Sequence, residues 1–121
     1  MLLTNINDHT QELEHLLNEG FVTLRSHPEF PLKIYNYTAK AQYSPKEVWT
    51  PLLKQLRGLI VNEKGEVIAR PFQKFFNLEE VKDSPEFLEA CQDQDYKVYE
   101  KLDGSLGVGF WYNGRYWMAT R

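Results

Sequence analysis

Disulfide pairs, membrane-length apolar runs and an excess of positive charge are all missing from this sequence, and each absence narrows what the chain can be. Its single cysteine, Cys91, has no internal partner, so no bridge staples the fold. No segment approaches the roughly 18 apolar residues of a spanning helix. Met1 to Asp8 carries neither a basic flank nor a long apolar run, so no membrane attachment is expected and the cytoplasm is the expected compartment. With 14 Lys and Arg against 17 Asp and Glu, a net charge of −3, the chain lacks the surplus cations that hold an autonomous nucleic-acid binder on phosphates. Any such binding has to be local. His9, His15 and His27 share no metal-ligand spacing with the cysteine and are assigned no chemistry.

What remains is a mixed composition, 42% hydrophobic and 14% aromatic over 121 residues. A chain of this size buries roughly two-thirds of its unfolded surface and needs no metal to fold. Asp8 and Gln11 resemble a capping box, and Leu13, Leu16 and Leu17 recur at helical spacing until Gly20, predicting a helix over about 10–19. Phe21 to Arg25 and Leu32 to Tyr37 read as strands around a turn at Pro28. Ser44, Pro45 and Glu47 predict a helix start, with the helix ending near Pro51. Leu56 to Asn62 and Glu66 to Phe72 form a predicted hairpin closed by Gly65. Ser84-Pro85 opens a helix to Cys91; Tyr96 to Leu102, Ser105 to Tyr112 and Arg115 to Arg121 read as strands, the last two joined by Asn113-Gly114. The fold class is α+β, mainly antiparallel sheet with a few short helices. Trp49, Trp111 and Trp117 are expected in the core or at its edge, and phenylalanines such as Phe72, Phe75 and Phe76 are more often core than ligand-stacking.

Charge is unevenly placed. From Lys54 to Lys74 there are five bases and two acids, a balance of +3; from Glu79 to Asp95 there are seven acids and one base, a balance of −6. The acidic run reads as solvated surface.

Chemistry concentrates at Glu100-Lys101-Leu102-Asp103-Gly104-Ser105, where a predicted strand gives way to a tight turn. On an extended chain Lys101 and Asp103 project to one face, and Gly104 permits close backbone approach. A lysine attacks phosphorus only as the free amine, which at an ordinary pKa of about 10.4 is roughly one molecule in a few thousand at pH 7. A neighbouring carboxylate pushes the wrong way. Cations such as Lys74 or Arg57, or a bound metal, have to outweigh it. A chance Lys-x-Asp-Gly arises in about one chain of this length in forty, so the tetrapeptide alone leaves an exposed strand-end pair as an equal reading.

Lys-x-Asp-Gly is also the acceptor motif of nucleotidyl-transferring ligases and capping enzymes, and the chain resembles the phage-type RNA ligase 1 family. Three blocks carry the resemblance: Leu56-Arg57-Gly58-Leu59-Ile60-Val61, Arg70-Pro71-Phe72-Gln73-Lys74-Phe75-Phe76-Asn77, and Lys101 to Leu106. Their order and spacing also match, and the Lys-Phe-Phe-Asn block sets this family apart from DNA ligases and capping enzymes. The resemblance implies that Lys101 accepts AMP from ATP, that AMP passes to an RNA 5′-phosphate, and that a 3′-hydroxyl displaces it to seal the strand. It implies catalytic roles for Lys101, Asp103, Arg57 and Lys74, and nucleotide binding by Glu100, Leu102, Gly104, Ser105, Phe76 and Arg121. ATP and Mg2+ are the implied cofactors and RNA ends the implied partners; metal ligands stay unassigned.

Thr120-Arg121 matches only the start of the family's next block, so residues 1–121 are expected to form the N-terminal part of one adenylyltransferase domain, incomplete at its C-terminus. This chain alone is expected to be inactive, and an exposed edge near Arg121 is expected to favour self-association. The alternative is a non-catalytic module of the same fold that binds a nucleotide or partner.

Overall fold

Alternating branched, aromatic and polar residues produce the first two strands, β1 (Val22–Ser26) and β2 (Lys33–Tyr37), in the computed structural model, which describes residues 2–92 and 95–121. Asp93 of the acidic run lies outside the described residues. The chain divides into two units, one of Met1–Lys74 with Ser105–Arg121 and one of Phe75–Gly104.

In the first unit, β1, β2, β3 (Arg57–Val61) and β4 (Val67–Ala69) form a four-stranded antiparallel sheet in sequence order. Tyr35 pairs with Leu59, but Asn36 pairs with Arg57. Gly58 is therefore the extra residue of a β-bulge, and its φ of +78° is the left-handed conformation that such a bulge demands. The β3–β4 turn is closed by Gly65, at φ +80°, whose N–H donates to the Asn62 carbonyl at 3.0 Å. The N-terminal segment is stitched onto this hairpin: Asn5 bridges Glu66, and the Asn5 and Asn7 side-chain amides donate to the Lys64 carbonyl.

Helix α1 (Thr10–Asn18) runs as its leucine spacing predicts, burying Leu13 and Leu16. Its entry differs from the expected Asp8 capping box. A 3-10 turn, Ile6–His9, precedes it, capped by Asn5, whose side chain accepts from the Asn7 N–H. At the other end Gly20, at φ +77°, closes a Schellman arrangement, with Phe21 N–H donating to the Leu16 carbonyl and Gly20 N–H to that of Leu17.

The segment between β2 and β3 corrects the expected helix from Ser44 to Pro51. A short α2 (Ala39–Gln42), capped by Thr38, comes first; a 3-10 turn, Lys46–Val48, follows Pro45; and α3 (Pro51–Gln55) begins where the expected helix should end. Proline fits a first helical turn, where its missing N–H has no bond to make, and breaks a helix interior. Thr50 completes the start by accepting from the Leu53 N–H at 3.2 Å. Leu52, Leu53, Leu56 and Leu59 are at most 1% exposed and centre the core.

The ribbon β5 (Gly107–Tyr112) and β6 (Arg115–Thr120) is turned by Asn113 and Gly114, both at positive φ, as the Asn-Gly pair predicts. Its inner residues Val108, Phe110, Tyr112 and Ala119 pack with Leu32, Ile60 and Ala69. Trp49 is buried and Trp117 half-buried, but Trp111 is 70% exposed on the outer side, against expectation. Trp111 stands opposite Tyr116 on the face that the ribbon does not turn to the core.

In the second unit, α4 (Leu78–Val81) starts at Asn77, whose N–H donates to the Glu80 carboxylate at 3.4 Å. Helix α5 (Pro85–Cys91) has its predicted bounds, and Ser84 caps it by accepting from the Phe87 N–H. Neither helix buries a residue, and the acids Glu79, Glu80, Asp83, Glu86 and Glu89 are exposed. The expected strand over 96–102 does not form: 95–106 is irregular, with Tyr96, Val98, Tyr99 and Leu102 exposed. A strand exists only in a ladder, and among the described residues nothing pairs with this one.

Candidate nucleotidyl-acceptor site

The bulge at Gly58 shapes the group of motif residues that lies within the first unit. A Cβ there would lie 3.3 Å from Pro71 Cγ and 3.9 Å from Arg121 Cγ, so the side chain's absence lets three of the motif-bearing segments meet. Arg57, next to the bulge, donates to the Phe72 carbonyl at 3.3 Å, and the Lys74 N–H donates to the Lys54 carbonyl at 2.7 Å. The first two sequence blocks are thus bonded to each other through the Phe72 carbonyl, and the second is bonded to Lys54 just ahead of the first.

Two further cations gather at the end of β2. Lys74 Nζ lies 5.7 Å from the Tyr37 ring centroid and 5.5 Å from that of Trp49, and the Arg121 guanidinium lies 3.9 Å from the Tyr37 ring. Arg121 also donates to Asn36 Oδ1 and to the Tyr37 carbonyl, each at 3.1 Å. Arg57, Lys74 and Arg121, far apart in sequence, therefore share the neighbourhood of Asn36 and Tyr37. The charge of this group suits a polyphosphate. Arg70 is used differently: it donates to Gln55 Oε1 at 3.0 Å and to the Leu3 carbonyl, tying the N-terminal segment to α3.

Phe76, Glu100, Lys101, Leu102, Asp103 and Gly104 belong to the second unit, and Ser105 to the first. Lys101 and Asp103 are exposed on irregular backbone, so the expectation of a shared strand face does not hold. Gly104, at φ +137° with open space where a Cβ would be, has the conformation that favours glycine. Phe76 is half-buried, whereas Phe72 and Phe75 are 77% and 54% exposed and stand outside the core.

No sequence motif singles out Asn36 or Tyr37, and Trp49 is expected there only in the core or at its edge. The signal lay in the register that sets Asn36 opposite Arg57, which no local pattern encodes. Beside them Tyr35 is buried, and burial pushes its hydroxyl above the ordinary 10.0. Among the described residues no group of three or more His, Cys, Asp or Glu is placed to hold a metal ion. Among the described residues nothing fits a metal site, and no step is assigned to one. His27 serves a turn instead, its Nδ1 accepting from the Glu29 and Phe30 N–H groups.

The RNA ligase family matches residues 55–121, the stretch that contains all three blocks. The chain belongs to the phage-type RNA ligase 1 family. It is 33% identical over 84 residues to RNA ligase 1 of bacteriophage TS2126, covering 65% of this chain and 21% of that protein. A protein of Thermovibrio ammonificans provisionally named RNA ligase is 32% identical over 98 residues, 78% of this chain and 25% of its own length. A protein of Autographa californica nuclear polyhedrosis virus, provisionally named bifunctional polynucleotide kinase/RNA ligase, is 29% identical over 116 residues, 90% of this chain and 16% of its own length. The chain thus spans a quarter or less of these relatives. No solved structure matches it.

Proposed function

We propose that this member of the RNA ligase family carries the nucleotidyl-acceptor part of an ATP-dependent RNA ligase, with Lys101 as the acceptor. The observation that carries the reading is the family match over 55–121, inside which Lys101-Leu102-Asp103-Gly104 stands in order behind the Arg57 and Lys74 blocks. In the first step the Lys101 Nζ lone pair forms a bond to the α-phosphorus of ATP, the bond from that phosphorus to the bridging oxygen breaks, pyrophosphate leaves, and the amine's proton passes to water. In the second, an RNA 5′-phosphate oxygen attacks the same phosphorus and the N–P bond breaks. In the third, a 3′-hydroxyl attacks the capped 5′-phosphate and AMP departs.

Arg57, Lys74 and Arg121 offset the phosphate charge in this reading, which favours triphosphate binding. Asp103, Leu102, Gly104 and Ser105 shape the acceptor turn, Phe76 packs on the nucleotide, and Glu100 lies beside the base. Phosphoryl transfer asks little covalent chemistry of a protein beyond a nucleophile, alignment and charge neutralisation, so a divalent ion belongs in the assay. RNA ends are the partners and the cytoplasm the compartment. Among the described residues no helix is long and apolar enough to cross a membrane.

Incubating the complete gene product that carries this sequence with α-labelled ATP and magnesium tests the reading. A labelled band that disappears in Lys101→Ala supports it. Absence of label sinks it in favour of a non-catalytic module, and labelling by guanylate in place of adenylate points to capping.

A further inference from the structure

A row of side chains crosses the four-stranded sheet from its β1 edge: Arg25 stands opposite Ile34, Ile34 opposite Ile60, and Ile60 opposite Ala69. The β5–β6 ribbon packs over this row but leaves a cavity of about 250 Å³ beside Arg25, with Leu32, Ile34 and Ile60 on the sheet side and Phe110, Trp117 and Ala119 on the ribbon side. Every lining residue belongs to the first unit, and none is among the residues placed at the acceptor site. The aromatic wall is fixed in advance. Trp117 Nε1 donates to the Tyr112 carbonyl at 2.8 Å, Phe30 meets its ring edge to face at 5.2 Å, and the Arg115 guanidinium lies 3.8 Å from the ring centroid. With its one donor used, the indole offers the cavity ring surface alone.

The mouth has the opposite character. Arg25, His27 and Lys33 line it and are exposed; among the described residues no carboxylate lines the cavity, and neither Arg25 nor Lys33 is paired with one. His27 Nδ1 accepts from the Glu29 and Phe30 N–H groups at 3.0 and 3.1 Å, which leaves the neutral ring's own N–H on Nε2. An apolar slot with donors of one sign at its mouth suits a ligand that is flat and apolar at one end and anionic at the other. A nucleotide is such a ligand: any base presents a π-face to aromatic side chains, and its phosphate meets the cations. The small volume admits a single base, which a duplex keeps in its stack.

We propose that this cavity seats one unpaired nucleotide of an RNA strand, its base against Phe110 and Trp117 and its phosphate on Arg25 and Lys33. The inference rests on the proposed function for the identity of the strand as RNA.

Ultraviolet crosslinking of the complete gene product to a short oligouridylate carrying 4-thiouridine, without ATP, tests it. Peptide mass spectrometry should find the adduct on Phe110 or Trp117. The double variant Arg25→Gln/Lys33→Gln should lower its yield about tenfold or more and reduce the slope of log affinity against log salt by about 1, with the urea midpoint unchanged. Lys64→Gln, an exposed cation on the β3–β4 turn outside the cavity, should leave the yield as it is. Uridine 5′-monophosphate should compete for the adduct, and ribose 5-phosphate, which brings the charge without the base, should not. An adduct confined to other peptides, no adduct, an unchanged yield in the double variant, or equal competition by ribose 5-phosphate overturns the inference. The assay contains no ATP, so its failure leaves the Lys101 labelling test standing, and failure of that test leaves the position of the adduct to be read on its own.

Discussion

Gly58 combines two constraints that no other residue type satisfies together, a left-handed φ of +78° and a prospective Cβ contact of 3.3 Å to Pro71. Gly58→Ala is expected to lower stability by roughly 1–3 kcal/mol, read as a lower urea midpoint, and an unchanged midpoint contradicts the bulge assignment. Tyr35 makes a second prediction at this scale. Its folded pKa lies above the ordinary 10.0, so above about pH 10 the unfolded chain releases its proton first and stability falls as pH rises. Tyr35→Phe should remove part of that alkaline loss, measured as urea midpoints on either side of pH 10. Residues of this kind also mark what the sequence could show. Lys101 was legible because its motif is contiguous; Asn36 and Tyr37 were not, because their meaning depends on the β2–β3 register and on a side chain arriving from position 121.

Elements were legible where the signal is local. The Asn113-Gly114 turn, α5 behind Ser84-Pro85, and the leucine-spaced α1 all form where their short-range chemistry placed them. Two others depended on partners. Apolar alternation over 96–102 suggested a strand, yet no neighbouring segment supplies a ladder among the described residues. The helix expected from Ser44 yields to a turn and to α3, because Pro51 serves as a helix start and Thr50 caps it. Thr50→Ala should therefore cost about 1 kcal/mol, a loss visible in urea unfolding, whereas Ser44→Ala should cost less. The outer side of the β5–β6 ribbon keeps the physical basis for self-association, with Trp111, Tyr116 and Met118 exposed. Light scattering that detects only monomer at high concentration counts against that proposal.

At the scale of the whole molecule, the net charge of −3 conceals a division of labour. Glu79, Glu80, Glu86 and Glu89 are exposed on α4 and α5 in one unit, and Arg57, Lys74 and Arg121 converge in the other. Composition alone excluded strong autonomous phosphate binding, and it did so by averaging over these two regions. The chain also covers a quarter or less of its curated relatives, and among the described residues it offers no metal cluster. We propose that the 121 residues alone do not seal RNA, a reaction in which each well-placed charge contact contributes on the order of 3 kcal/mol of transition-state stabilisation. Joining of a nicked or single-stranded RNA by this chain alone contradicts that expectation. The central claim, that one lysine accepts the nucleotide, is tested most directly by peptide mass spectrometry of the complete gene product after incubation with ATP and magnesium. The account predicts an adenylate attached to Lys101 and to no other lysine; adenylate on Lys97 or Lys74, or none at all, would contradict it.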